Sequence, residues 1–254
     1  MAEIKKRTKN NVGWLILANP ARHNALTQHA WEAIPPALAE MVDEGTRAII
    51  IMGEGASFCA GADISEFDTV RKDAASAAVY EKANADAFAA IGKVSVPTIA
   101  AIDGYCLGGG FGIACACDLR LATSEATFGV PAARLGLAYP VEAMADIVAA
   151  VGTQNAKHLL FTARRYDAAH MKAIGFLLNI VAQENLAKEA EAMAVEIAAL
   201  APLTHAATKA AIDAAQSLNS SAADALGNVT FSSQDYAEGR AAFREKRPAR
   251  FTGR

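Results

Sequence analysis

The sequence predicts a mixed α/β fold. Two observations predict it. Short apolar runs rich in β-formers recur at residues 12–18, 47–52, 96–102 and 119–122. Longer Ala-rich stretches with helical character lie at about residues 74–91, 186–200 and 203–217. Strand and helix patterns that alternate along a chain give α/β layering. Hydrophobic residues make up 53% of the 254, enough for a sizeable core, and unlike a disordered chain.

In chain order, residues 12–18 carry Trp14 in an apolar run and read as the first strand, which Asn19-Pro20 breaks. Thr27 is a plausible N-cap for a helix reaching Val42. Pro35-Pro36 falls inside that helix, where a kink or a restart is expected. Residues 47–52 read as a buried strand, followed by the Gly53-Glu54-Gly55 turn and the loop Ala60-Gly61-Ala62-Asp63. Val94-Ser95-Val96-Pro97 ends the helix over 74–91 and starts the next strand. The strand at 119–122 follows a short apolar helix over 113–117. The two C-terminal helical stretches are too apolar to stand alone in water, so they pack on the body or on a neighbouring subunit. No internal repeat or low-complexity linker interrupts the chain.

Charge and cysteine usage exclude several classes. The net charge is −3, with 20% charged residues, without the basic footprint of a nucleic-acid binder. The basic start Met-Ala-Glu-Ile-Lys-Lys-Arg is not followed by a signal-peptide apolar stretch. Charges interrupt the other apolar runs before membrane-spanning length. Cys59, Cys106, Cys115 and Cys117 sit in apolar segments, and the C-x-C of the last two is not zinc spacing. Buried free thiols and a cytoplasmic location are expected. The five histidines (His23, His29, His158, His170, His205) show no metal-ligand spacing, so no metal is expected.

Chemistry concentrates in two stretches. In Ile102-Asp103-Gly104-Tyr105-Cys106-Leu107-Gly108-Gly109-Gly110-Phe111-Gly112, three consecutive glycines stand at a strand-to-helix passage. Glycines there allow a substrate close to the backbone, and a helix start leaves N–H groups unpaired. With the helix dipole, this suits a developing oxyanion. Glycines also serve tight turns and close helix packing. In Ser57-Phe58-Cys59-Ala60-Gly61-Ala62-Asp63-Ile64, small residues again follow a predicted strand.

The pair, in this order and separation, resembles the enoyl-CoA hydratase/isomerase (crotonase) family. Asn19-Pro20-Ala21-Arg22-His23-Asn24-Ala25-Leu26 is similar to its N-terminal motif, and Phe128-Gly129-Val130-Pro131 through Leu135-Gly136 to its segment after the glycine-rich helix. The tail from Ser233 to Phe243 matches too. The resemblance implies a crotonase-like spiral of ββα units. It places an acyl-CoA-binding core at residues 1–190 and a helical region at 191–254 for oligomerisation and closure over CoA. A homotrimer or a dimer of trimers is expected, with CoA carried as part of the substrate and no separate cofactor.

By motif match, the N–H groups of Ala62 and Gly109 would bind the thioester oxygen of an enolate. Arg22 would lie near the pantetheine and phosphate end, Ala60, Asp63 and Ile64 near the adenine, and Phe243 and Lys246 would close over the nucleotide. The bland alternative for Lys246 and its neighbours Arg244 and Arg247 is a solvated basic tail. The family's hydratases carry two glutamates that hold and activate water, and here those positions are Gly112 and Ala132. Neither side chain can transfer a proton, so ordinary hydration is not expected.

Tyr139 stands in a Leu-Gly-x-x-Tyr setting similar to that of the family's acyl-CoA decarboxylases, although Ala62 replaces a histidine that such enzymes can carry. Tyr139 as a proton donor and Tyr139 as a partly buried aromatic capping the backbone both remain open. Glu142 and Asp146 share a face if their segment is helical, and are either displaced acids or surface charges. Asp118 reads as structural, and Cys59 as a small core residue for want of a base. Three functions stand: enolate chemistry such as decarboxylation, non-catalytic acyl-CoA binding, and hydration by relocated acids.

Overall fold

A computed structural model describes residues 2–135, 141–217, 229 and 233–254. The strands are β1 (Glu3–Lys9), β2 (Val12–Ala18), β3 (Ala48–Gly53), β4 (Thr98–Ile102), β5 (Tyr105–Leu107), β6 (Leu119–Thr123), β7 (Thr127–Gly129), β8 (Tyr166–Asp167) and β9 (Asn179–Val181). The helices are α1 (Gln28–Asp43), α2 (Phe67–Val70), α3 (Ala74–Lys93), α4 (Gly109–Ala116), α5 (Ala132–Leu135), α6 (Val141–Thr162, interrupted at Gly152), α7 (Ala168–Ala173), α8 (Leu186–Ala198), α9 (Pro202–Ser217) and α10 (Gln234–Glu245).

Six strands form one sheet in the order β1-β2-β3-β4-β6-β9. Only β1 runs antiparallel to its neighbour. A smaller sheet has the order β5-β7-β8. Both faces of the large sheet are covered, so its inner strands read as continuous apolar runs. Leu15, Leu17, Ile49, Ile51, Ala100 and Ile102 join the core with α1, α3, α4 and α6. The alternate residues Val12, Trp14, Ile50, Ile99 and Ala101 pack with Leu186, Ala190 and Ala194 of α8. This period-two division of each strand fixes its register.

Two expectations change. The run at 12–18 is the second strand, because Glu3–Lys9 pairs with all of it in antiparallel register. That polar stretch has no apolar alternation of its own. It is an edge strand whose lysines discourage further pairing, and Arg7 stacks 4.2 Å over Trp14. The other change is in α1, which runs through Pro35-Pro36 without a restart. Each internal proline costs about 3 kcal/mol. Trp31, Ile34, Leu38 and Met41 of the same helix are buried, and each such burial contributes roughly 1.5–3 kcal/mol. Packing therefore offsets the interruption. Thr27 caps this helix as expected, its Oγ1 accepting the Ala30 N–H at 3.3 Å. Among the described residues, no helix is long and apolar enough to cross a membrane.

Candidate active site

The parallel strands end on one side of the sheet, and the loops after β3 and β5 meet there. Leu26 and Ala62 form an isolated parallel bridge. Leu26 N–H donates to the Gly61 carbonyl at 2.8 Å, and Asp63 N–H donates to the Leu26 carbonyl at 2.9 Å. The bonds are made by the residues flanking Ala62, so its own N–H faces away from Leu26. That N–H meets no protein acceptor among the described residues. A second bridge, Cys59 to Cys106, ties the same loop to β5.

Gly61 carries the loop across the start of α4. Its φ is +100°, and a Cβ there would stand 2.9 Å from the Leu107 carbonyl oxygen and 3.1 Å from the Gly109 nitrogen. Only glycine fits that conformation and that approach. Gly108, at φ +51° and ψ −120°, turns the chain from β5 into α4. The first intrahelical bond runs from Gly112 N–H to the Gly108 carbonyl. The Gly109 N–H is thus one of the unpaired donors of a helix start, where the dipole favours negative charge. Gly61 thus sets the loop that carries Ala62 against the start of α4, beside Gly109.

Gly112 is buried within α4. Ala132 begins α5 directly after Pro131, whose Cδ lies 3.9 Å from where a Cβ on Gly108 would stand. Asp146 does not reach the site. It lines a cavity of about 410 Å³ with Lys93, Cys115, Asp118, Arg120 and Asp213, at the C-terminal end of α4, roughly 10 Å along the axis from Gly109. Burial, reinforced by the charge of Asp213 and opposed by Lys93, pushes its carboxyl up. Asp118 accepts the Thr98 N–H at 2.7 Å and the Lys209 ammonium at 2.9 Å, a structural role. Tyr139 and the side chain of Glu142 lie outside the described residues.

Cys59 is buried, and burial pushes its thiol up to about 12, against the opposing hydrogen bond from Gly61. It is a core thiol and not a nucleophile at neutral pH. All four cysteines are free and buried, and among the described residues no cluster could hold a metal ion.

Arg22, Asp63 and Ile64 come together at the rim. Arg22 Nη1 donates to Asp63 Oδ1 at 2.7 Å and to Ser65 Oγ at 2.6 Å. Burial pushes the Asp63 carboxyl up, but the Ser65 hydrogen bonds and the Arg22 charge outweigh it and hold the group below the usual range. The Arg22 side chain is 53% exposed, Ile64 is exposed, and the Ala60 N–H donates to the His23 carbonyl. The C-terminal tail is fixed elsewhere. Thr252 and Gly253 N–H groups donate to Asp235, and Arg47, before β3 at the other end of that strand, donates to the Phe251 carbonyl at 3.0 Å. Lys246 is exposed past the end of α10, and the side chain of Phe243 is outside the described set.

Three supporting residues escaped the sequence. Asn24 is fully buried, and its Nδ2 donates to the carbonyls of Glu54 and Ser57 while its Oδ1 accepts the Asn19 N–H. It ties the N-terminal motif to the loop after β3. Trp31 and Tyr80 are buried behind the two donors and joined by a hydrogen bond. A buried asparagine inside the Asn19–Leu26 motif was the one available signal. The Trp31–Tyr80 pair spans 49 positions and left none.

Residues 7–254 match the protein family described as enoyl-CoA hydratase/isomerase. A Mycobacterium leprae protein described as a probable enoyl-CoA hydratase is 36% identical, over 96% of this chain and 95% of its own. A crystal structure of an enoyl-CoA hydratase/isomerase family protein from Hyphomonas neptunium superposes with a TM-score of 0.94 at 37% identity, covering 99% of this chain and 98% of that one. An enoyl-CoA hydratase/carnithine racemase structure from Magnetospirillum magneticum gives 0.94 at 33% identity, covering 100% and 97%.

Proposed function

Because this chain belongs to the enoyl-CoA hydratase/isomerase family, we propose that it binds an acyl-CoA thioester and stabilises its enolate without the water-activating acids of a hydratase. What supports this is the packing of Gly61, next to Ala62, against the Gly109 nitrogen, in a chain with glycine and alanine at positions 112 and 132. Each donor of such a hole is worth about 2.7–4 kcal/mol in the transition state. Decarboxylation is the reaction that needs least else. The Cα–carboxylate bond breaks, carbon dioxide leaves, and the electron pair moves into the enolate, whose oxygen the two N–H groups hold. Cα then takes a proton, and Tyr139 is the proposed donor.

Arg22, Ala60, Asp63 and Ile64 are the proposed CoA contacts, with Phe243 and Lys246 of a neighbouring subunit closing over the nucleotide. Arg22 would exchange part of its bond to Asp63 for a phosphate. A trimer, or a dimer of trimers, built through residues 191–254 is also proposed, with support from the exposed Val195, Leu200 and Ile212 on and between α8 and α9. The cytoplasm is the proposed location. The test is incubation with a 2-carboxyacyl-CoA such as malonyl-CoA in deuterated water. Carbon dioxide release with deuterium at Cα is the expected result. Tight binding without release would favour non-catalytic acyl-CoA binding instead.

A further inference from the structure

We infer that Trp31 and Tyr80 form a buried strut that sets the spacing of the two backbone donors, a positioning role that rests on the acyl-CoA function proposed above. Trp31 comes from α1 and Tyr80 from α3, and both are fully buried. The Trp31 Nε1–H donates to Tyr80 Oη at 3.1 Å. Tyr80 Oη–H donates in turn to the Leu26 carbonyl at 3.3 Å. That carbonyl is the one that accepts the Asp63 N–H and so anchors the Ala62 bridge. At its other end, the Trp31 ring lies against the second donor. Its Cζ2 is 2.7 Å from where a Cβ on Gly109 would stand. One hydrogen-bonded pair thus touches both halves of the site, with Gly61 packed between them.

The pair is built to stay in place. A buried hydroxyl is costly unless bonded, and here Oη both accepts and donates. The Arg71 guanidinium lies 4.4 Å from the centre of the Tyr80 ring. The Phe67 and Phe88 rings pack edge-on against Tyr80 and Trp31, at 6.1 and 5.6 Å. Burial pushes the Tyr80 hydroxyl well above its ordinary range, so it remains a donor through the neutral pH region. Preorganised donors act through their spacing, and displacement of a catalytic group by about 1 Å can cost a hundredfold in rate. A strut joining α1, α3, the Leu26 bridge and Gly109 supplies that rigidity.

The experiment reads the carbonyl stretch of isotopically labelled crotonyl-CoA bound to the intact protein, together with its Kd and the unfolding midpoint. Wild type is expected to lower the stretch relative to the free thioester. Tyr80→Phe keeps the ring and removes the hydroxyl. Its bound stretch is expected to move back toward the free value, with Kd changed by less than about threefold, or about 0.65 kcal/mol. Trp31→Phe tests the strut from its other end and serves if Tyr80→Phe does not fold. Phe88→Leu is the control for packing alone, expected to lower the midpoint and leave the stretch unchanged. A wild-type stretch retained in both strut variants would overturn the inference. No downshift in the wild type would instead overturn the oxyanion-binding role, and the strut with it.

Discussion

At the scale of single residues, the site combines small groups that must stay small with thiols that must stay inert. Gly61→Ala places a side chain at φ +100° and within 3.1 Å of the Gly109 nitrogen. Strain of this kind costs about 1–3 kcal/mol, so the urea midpoint of this variant is expected to fall, with binding of CoA esters weakened. Cys59, with its thiol at about 12, is expected not to react with a disulfide reagent at pH 8 in the native protein. Because all four thiols are buried, no fast equivalent is expected, and one that is lost in Cys59→Ser would contradict the placement of the Cys59 loop. Ala62, Gly109, Gly112 and Ala132 could be named from the sequence only through the motif match, since small residues alone do not mark a site. Asn24, Trp31 and Tyr80 were not, because each acts through partners set by tertiary pairing.

At the scale of elements, what could be read was what carries its own apolar signal. The strands β2, β3, β4 and β6 and the helices α1, α3, α8 and α9 do so. The edge strand β1 is polar, and β5, β7, β8 and β9 are two or three residues long, so nothing local distinguishes them from loops. The prolines did not divide α1, because local propensity lost to the burial of Trp31 and its neighbours. Loss of the cap in Thr27→Ala is expected to cost about 1 kcal/mol, read by chemical denaturation. The cavity lined by Asp146 of α6 and Asp213 of α9 has a pH signature. Burial raises the carboxyls of both Asp146 and Asp213. Such groups hold their protons more tightly when folded, so their contribution is present below the unfolded value and is lost as pH rises through the folded one. Asp146→Asn is therefore expected to raise the melting temperature at pH 7, the gain fading as pH falls toward about 4. An equal gain at both pH values would point to packing instead.

At the scale of the whole molecule, the α/β class followed from alternation, and the spiral from the resemblance rather than from any periodicity. Strand order was not legible, because the parallel sheet places β4 between β3 and β6 through long crossovers. The fold sets the Gly61-Ala62 loop against the start of α4, and the proposal is that the two backbone donors there act without the acids of a hydratase. The most direct test is hydration of crotonyl-CoA by the purified protein, followed as loss of the enoyl-thioester absorbance, with binding of the ester measured in the same sample. Binding without hydration is the predicted result. Robust hydration would contradict the account, and would mean that an acid other than Asp146 serves the site.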